Sequence, residues 1–132
     1  MKNINNILFG NKFKLVYSPD PVTRNVKGVA IVINKKLMKV NNIKMSTLVS
    51  RRAISILIPW QDDLRVNIMA VYAPNVLQEI EEFWRNITDK VQAGLSLRPE
   101  VVLGDFNLIE EALDRIPSRS DNPHATEKLK EF

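Results

Sequence analysis

The feature that most constrains this chain is a change in the spacing of its apolar residues. From Ala53 to Ile58 and from Arg65 to Tyr72, side chains alternate between two faces at the two-residue period of a β-strand. From Leu77 to Val91 the spacing becomes that of an amphipathic helix, and the short apolar segment Val101 to Leu103 follows. This order predicts a strand, helix and strand crossover, which makes the two flanking strands parallel neighbours.

Neighbouring segments predict more strands. Pro59 to Asp63 separates the two alternating segments, which predicts an antiparallel hairpin. Phe13 to Tyr17 and Gly28 to Ile33 are short and rich in strand formers; we expect the second to be buried and both to share a sheet with the hairpin. Gly94 predicts the end of the helix. The pattern as a whole predicts an α+β fold.

Composition limits the classes of protein to consider. The chain has 132 residues, of which 45% are hydrophobic, so we expect a single domain over residues 1–132. It has no cysteine and one histidine, His124, which excludes disulfides and a zinc site built on two histidines. No apolar run approaches the roughly 18 residues of a membrane span. We therefore expect an intracellular protein, nuclear or cytoplasmic, with no membrane partner.

Charge allows a polyanionic partner without demonstrating one. Nineteen Lys and Arg against 15 Asp and Glu give a formal net charge of +4, which permits DNA binding. The basic residues are dispersed along the chain. Arg51 and Arg52 could touch a phosphate backbone, but a solvated pair is the more common role of such residues, and we take it as the first interpretation.

Two segments place polar residues directly after predicted strands, where a rigid scaffold can aim them. Tyr72 and Asn75 follow one strand, and Asp105 and Asn107 follow the other, with Gly104 allowing a sharp exit and Phe106 anchoring the core. A carboxylate and an amide so arranged suit phosphate ester hydrolysis, because Asp105 could orient or deprotonate water while Asn107 holds a phosphate oxygen. The alternative is that Gly-Asp-x-Asn is simply a turn. We expect all four polar residues to converge at one end of one sheet.

Three segments in order resemble the endonuclease/exonuclease/phosphatase superfamily. GVAIVIN resembles its early core strand, VNIMAVYAPN its tyrosine-bearing strand, and VVLGDFN its Asp-x-Asn strand end. The continuation Leu113-Asp114-Arg115 is similar to the endonuclease domain of non-long-terminal-repeat retrotransposons, and the resemblance runs from about Leu8 onward. It implies a DNase I-like fold, which here would be a partial two-sheet β-sandwich flanked by helices.

The resemblance also implies a chemistry. Asp105 would activate or position water, Asn107 would contact phosphate and water, Tyr72 would support the phosphate, and Asn75 would belong to the same network. Family members use a divalent metal, usually Mg²⁺, which stabilises developing charge. We read Asp114 and Arg115 first as a structural pair, with a DNA contact by Arg115 as the alternative.

The chain also departs from the family pattern. The family's Asn and its metal-binding Glu have no counterpart before Gly28, and the late Ser-Asp-His motif is not reached; His124 fits a surface residue instead. We therefore expect an incomplete domain, a truncated copy of a metal-dependent DNA endonuclease with weak or no activity. The alternatives are a non-catalytic remnant that binds nucleic acid or protein, and a fragment of an intact hydrolase.

An incomplete sandwich has a structural consequence. If strands are missing from both sheets, the isoleucines of AISILI and the valines of GVAIVI cannot all be buried internally. Uncovered sheet edges and large apolar patches promote association. We therefore expect self-association through an uncovered sheet edge.

Overall fold

In the computed structural model, the described residues are 11–18 and 28–108, together with Glu127 and Lys130. Six strands and one long helix lie within the described ranges. In chain order they are β1 (Phe13–Tyr17), β2 (Ala30–Asn34), β3 (Lys44–Val49), β4 (Ala53–Pro59), β5 (Arg65–Tyr72), α1 (Leu77–Gln92) and β6 (Val101–Asp105), with a short 3-10 helix at Val40–Asn42. The structure is therefore mixed α+β, as the change of period predicts.

Four strands form one sheet in the order β3-β4-β5-β6. β4 and β5 are antiparallel, with Ala53 opposite Val71 at one end and Pro59 opposite Arg65 at the other, which confirms the hairpin. β5 and β6 are parallel, and α1 lies between them in the chain, which confirms the crossover. Periodicity was a sufficient guide here because both faces of β5 are constrained by packing.

β3 was missed by the sequence interpretation. It pairs antiparallel with β4, with Lys44 opposite Leu57 and Thr47 opposite Ile54. Four of its six residues are exposed, and Leu48 is its buried residue. A strand that is largely exposed does not need the regular apolar alternation by which the other strands were recognised.

The prediction that the first two strands join the same sheet is wrong. β1 and β2 form a separate antiparallel two-stranded sheet, with Phe13 opposite Asn34 and Tyr17 opposite Ala30. The expectation of a buried strand from Gly28 needs correction too, because β2 begins at Ala30 and Ile33 is its only buried residue. A two-stranded layer on one side of a larger sheet buries only its inward side chains.

One face of the four-stranded sheet packs against α1. The apolar positions of the helix fall at helical spacing, and its buried side chains are Ile80, Phe83, Trp84 and Ile87. They form one cluster with buried side chains from the sheet and the loop after β5, namely Leu48, Ala53, Met69, Val71 and Ala73. Trp84 is 1% exposed, which confirms its predicted place in the core.

The opposite face packs against the small sheet. Ile54, Ile56 and Ile58 are between 0% and 2% exposed and share a cluster with Val16 of β1 and Ile33 of β2. The three isoleucines of β4 are therefore buried, because the first two strands fold over them. Val32 of β2 is not buried, so the isoleucines and valines of the two segments are not all buried together, as expected. Apolar exposure remains on Val32 of β2 and on Val101 and Leu103 of β6, which are between 43% and 47% exposed.

The helix ends where the sequence predicts. Gly94 has a φ of 72°, and the amide of Leu95 donates to the carbonyl of Lys90, while Gly94 N–H donates to Val91. This is the hydrogen-bond pattern of a Schellman motif, in which glycine takes the left-handed conformation after the last helical turn. Within the described residues, no helix is long and apolar enough to cross a membrane.

A buried polar cluster fixes β6 to β5 at the amino end of both strands. Asn67 is 3% exposed; its side chain accepts from the Ser55 hydroxyl at 2.6 Å and donates to the Leu97 carbonyl at 2.9 Å. Its backbone N–H donates to Glu100 Oε2 at 2.6 Å, and Glu100 N–H donates to the Asn67 carbonyl at 3.0 Å. These bonds tie the chain that enters β6 to β5 and so set the register of the parallel pair.

Candidate functional site

The carboxyl ends of β5 and β6 lie side by side. Tyr72 is opposite Asp105 in the parallel register, and the amide of Ala73 donates to the Asp105 carbonyl at 2.8 Å. In a parallel pair, residues in register project from the same face of the sheet, here the face opposite α1. The structure therefore brings Tyr72 and Asp105 together.

Gly104 makes this close approach of the two strand ends possible. Its φ is 138°, and a Cβ atom at this position would lie 1.9 Å from the Val71 carbonyl oxygen. No side chain larger than hydrogen fits without moving the backbone of β5. The glycine predicted to allow a sharp exit is thus also a steric requirement of the strand pair.

Asp105 and Asn107 form a local turn. The Asn107 backbone N–H donates to Asp105 Oδ1 at 2.9 Å. Asn107 has a φ of 52°, a left-handed conformation that asparagine tolerates. The Asn107 side-chain Nδ2 also donates to the Ala73 carbonyl at 2.5 Å, which joins the end of β6 to the loop after β5. The turn interpretation describes these bonds, and the catalytic roles of both residues stay predictions.

Phe106 occupies the position expected of an anchor. Its ring stacks on Trp84, with 5.8 Å between ring centroids and 15° between planes, and it packs against the helix-side core. Because Phe106 points into this core, its neighbours Asp105 and Asn107 are held at the sheet end. Asp105 is exposed and Asn107 is half-buried.

Asn75 lies in the loop between β5 and α1, three residues after Tyr72, and is exposed. It is therefore near the same end of the sheet as Tyr72. Among the described residues, no hydrogen bond joins its side chain to Tyr72, Asp105 or Asn107. Its proposed place in a shared network stays a prediction.

Arg52 lies at the candidate site, although the sequence interpretation took it first as one of a solvated pair. It is half-buried, its Nη1 donates to the Tyr72 carbonyl at 3.3 Å, and its Cζ lies 5.6 Å from the centre of the Tyr72 ring. The Tyr72 amide in turn donates to the Arg52 carbonyl at 2.7 Å. The hairpin register could have revealed this placement, because a turn just before Ala53 must lie beside the residue that follows Val71.

The turn that carries Arg52 is also connected to the small sheet. Arg51 has a φ of 61°, and its amide donates to the hydroxyl of Ser18 at 3.1 Å. Ser18 is 7% exposed and directly follows β1. The two sheets are therefore joined at the same end of the molecule as Tyr72 and Asp105.

The described residues do not form a metal site from protein ligands alone. They contain no group of three or more His, Cys, Asp or Glu side chains placed to hold an ion. Mg²⁺ is usually bound through one or two carboxylates together with waters and substrate phosphates. Asp105 alone does not make a protein-built cage.

The other residues singled out in the sequence lie away from the carboxyl ends of β5 and β6 or outside the described residues. Asp114, Arg115 and His124 lie outside the described residues. Trp60 is a loop aromatic, as predicted, and is 54% exposed. It borders an open groove of about 690 Å³ between the β4–β5 turn and the segment around Met38, at the far end of the hairpin from Tyr72.

Comparison with known proteins gives no assignment. No protein-family model matches the sequence, and no curated protein matches it either. The family resemblance therefore rests on the residues of the three strand segments and the strand ends they form.

Proposed function

We propose that this chain is a phosphodiester-binding domain of the endonuclease/exonuclease/phosphatase lineage, related to the endonucleases of non-long-terminal-repeat retrotransposons, with weak or no hydrolytic activity. The observation that carries the proposal is the meeting of Tyr72, Asp105 and Asn107 at the ends of two adjacent parallel strands. Ligands of open α/β sheets commonly bind beyond the carboxyl ends of the strands. A DNase I-like fold is part of this proposal.

Each residue has a group suited to a phosphodiester. Tyr72 carries a phenolic hydroxyl that can donate to a phosphate oxygen. Asp105 Oδ1 accepts from the Asn107 amide, and Oδ2 is left to orient or deprotonate a water. Asn107 Nδ2 bears two hydrogens, one of which bonds the Ala73 carbonyl, so the other can contact phosphate.

Weak activity is proposed because, among the described residues, part of the expected chemistry has no side chain to perform it. The resemblance implies Mg²⁺, yet the described strand ends supply Asp105 without a cluster of further acidic or histidine ligands. A phosphodiester bound without a strong Lewis acid or a proton donor for the leaving group would react slowly. Mg²⁺ binding by this chain is therefore proposed as weak.

DNA is the proposed partner, in an intracellular compartment, nuclear or cytoplasmic. The net charge of +4 favours association with a polyanion. The phosphate backbone supplies most of the affinity of such contacts and makes it fall with salt. Arg52, next to Tyr72, gives the strand ends a positive group.

The second candidate is a non-catalytic remnant that binds nucleic acid or protein. It is favoured by the turn at Asp105 and Asn107, since the Asp105 carboxylate and the Asn107 side-chain amide both form hydrogen bonds that hold the backbone. Such bonds preserve the shape of the strand ends whether or not the site turns over substrate. The two candidates agree on where the ligand binds.

Self-association is proposed as a further property of the chain. Within the described residues β6 pairs on one side only, with β5, and Val101 and Leu103 are 43% and 46% exposed. A strand with an open edge can pair with another chain. Size-exclusion chromatography with light scattering distinguishes a monomer from the associated species.

Two measurements on the purified chain test the proposed function. Fluorescence anisotropy with a labelled DNA duplex should show binding that weakens steadily as salt rises. Supercoiled plasmid incubated with Mg²⁺ should show little or no nicking. Absence of DNA binding at low salt would contradict the proposal and favour a protein partner.

Robust nicking that disappears in Asp105→Ala would overturn the claim of weak activity and support an intact hydrolase. A trace of nicking that Asp105→Ala leaves unchanged would identify a contaminating nuclease.

A further inference from the structure

The β3–β4 turn holds one arginine in a fixed position at the candidate site. Arg52 contacts Tyr72 in two ways, through the hydrogen bond from Nη1 to the Tyr72 carbonyl and through the guanidinium beside the ring. Its own carbonyl accepts from the Tyr72 amide. An arginine on a free turn would lose considerable side-chain entropy on binding a ligand, whereas these contacts already restrict Arg52.

Most of the hydrogen-bonding capacity of Arg52 is unused. A guanidinium carries five N–H donors, and the bond to Tyr72 uses one of them. The other four have no protein partner among the described residues. Within that part of the chain, no carboxylate forms an ion pair with Arg52, so its positive charge is not neutralised by a neighbour.

The arginine belongs to a row of groups across three strands. Arg52 precedes β4, Tyr72 ends β5 and Asp105 ends β6, so a cation, a phenol and a carboxylate follow one another along the sheet end. With neighbouring strands about 4.8 Å apart, the two outer backbones are separated by about 10 Å. A phosphate at Arg52 can therefore reach the Tyr72 hydroxyl without contacting the Asp105 carboxylate.

We propose that Arg52 directly binds a backbone phosphate of nucleic acid, together with Tyr72. The inference rests on the proposed function, since it names the residue that would recognise the partner at that site. Arginine suits this role because its planar fork of donors matches phosphate oxygens, which the compact ammonium of lysine cannot match. The interpretation of Arg51 and Arg52 as a merely solvated pair is replaced, for Arg52, by this contact.

The test measures DNA binding by anisotropy over a range of salt concentrations. Arg52→Gln should weaken binding about tenfold and reduce the slope of log affinity against log salt by about one, the signature of one lost phosphate contact. Arg52→Lys should keep the slope and lose about threefold in affinity, because it keeps charge without the fork. Arg85→Gln, at an exposed position on α1, is the matched control and should change affinity less than about twofold.

A second measurement uses the unaltered chain, in case Arg52→Gln does not fold. The NMR resonance of Arg52 Nε–Hε should shift on addition of a short DNA duplex, while that of Arg85 should stay in place. Equal effects of Arg52→Gln and Arg85→Gln, or an Arg52 resonance that DNA leaves unmoved, would overturn the inference while DNA binding itself remained. If the unaltered chain does not bind DNA, the proposed function fails first and this inference fails with it.

Discussion

The two ends of β5 use polar residues in opposite ways. At the amino end, Asn67 is buried and bonds to Ser55, Leu97 and Glu100, so its side chain has both a donor and an acceptor partner. At the carboxyl end, Tyr72 and Arg52 contact each other. Four of the five Arg52 N–H donors and the Tyr72 hydroxyl have no hydrogen-bond partner among the described residues. Polar residues in a strand identify a functional site only when some of their hydrogen-bond donors or acceptors have no protein partner and can bind a ligand.

The contrast implies that the amino end maintains the register and the carboxyl end presents the site. Both ends still require the strands to approach closely, and this shared requirement gives the largest expected effect.

Gly104→Ala should be the most damaging single change. The new Cβ would meet the Val71 carbonyl oxygen at 1.9 Å, and alanine is strained at a φ of 138°. We expect a loss of at least about 3 kcal/mol in the free energy of unfolding, from backbone strain together with displacement of β6. Urea unfolding followed by circular dichroism measures it.

Gly94→Ala is the matched control for that change. Gly94 also has a positive φ, of 72°, but nothing lies within 4 Å of a Cβ placed there. Its cost should be about 1 kcal/mol, from the left-handed conformation alone. If the two glycine variants lose equal stability, close approach of β5 and β6 at Gly104 is not a requirement of the fold.

Asn67→Ala should destabilise the amino end by about 2–3 kcal/mol. It removes both side-chain hydrogen bonds and leaves the buried Ser55 hydroxyl and the Leu97 carbonyl without this partner. Thermal or urea unfolding provides the measurement. Adding Ser55→Ala to Asn67→Ala should recover part of the loss, because the buried hydroxyl left without a hydrogen-bond partner is then absent.

The corresponding change at the carboxyl end is Asn107→Gly. Glycine keeps the positive φ of 52° while removing the amide that bonds the Ala73 carbonyl, so the expected cost is about 1 kcal/mol. A loss as large as that of Asn67→Ala would mean that both ends serve stability equally, which would remove the distinction between them.

Sequence periodicity predicted the parts of the fold whose packing is regular. β4, β5 and α1 were located to within about two residues, since each has an apolar face with a clear period, and β1 was located from its short run of strand formers. β3 was missed because four of its six residues are exposed. The separation of β1 and β2 into their own sheet depends on long-range packing of Val16 and Ile33 on the isoleucines of β4, which no local pattern encodes.

Some contacts of the candidate site could also be predicted from the sequence, and others could not. Tyr72 and Asp105 could be predicted to meet, because a crossover makes strand ends adjacent and the register follows. The contact of Arg52 with Tyr72 follows from the hairpin register and not from local composition, since Arg51-Arg52 by itself has the composition of any solvated pair. The bond from Asn107 to the Ala73 carbonyl likewise depends on the position of the loop after β5.

The central claim is that the carboxyl end of β5 and β6 receives a phosphodiester, and one pair of variants tests it most directly. Asp105→Asn and Glu100→Gln each remove one negative charge, the first at the proposed site and the second in the polar cluster at the other end. Asparagine keeps the oxygen that accepts from the Asn107 amide. DNA binding is measured by anisotropy in EDTA, so that no divalent ion bridges the carboxylate and the phosphate.

Asp105→Asn should raise the DNA association constant about threefold, since removing a like charge about 6 Å away, beyond direct contact, relieves about 0.7 kcal/mol of repulsion in water. Glu100→Gln should leave the association constant within about twofold, because an exposed charge more than a Debye length away is screened. An equal rise in both variants would reflect net charge alone, and no rise in Asp105→Asn would place the bound phosphate elsewhere. Either result would contradict the claim.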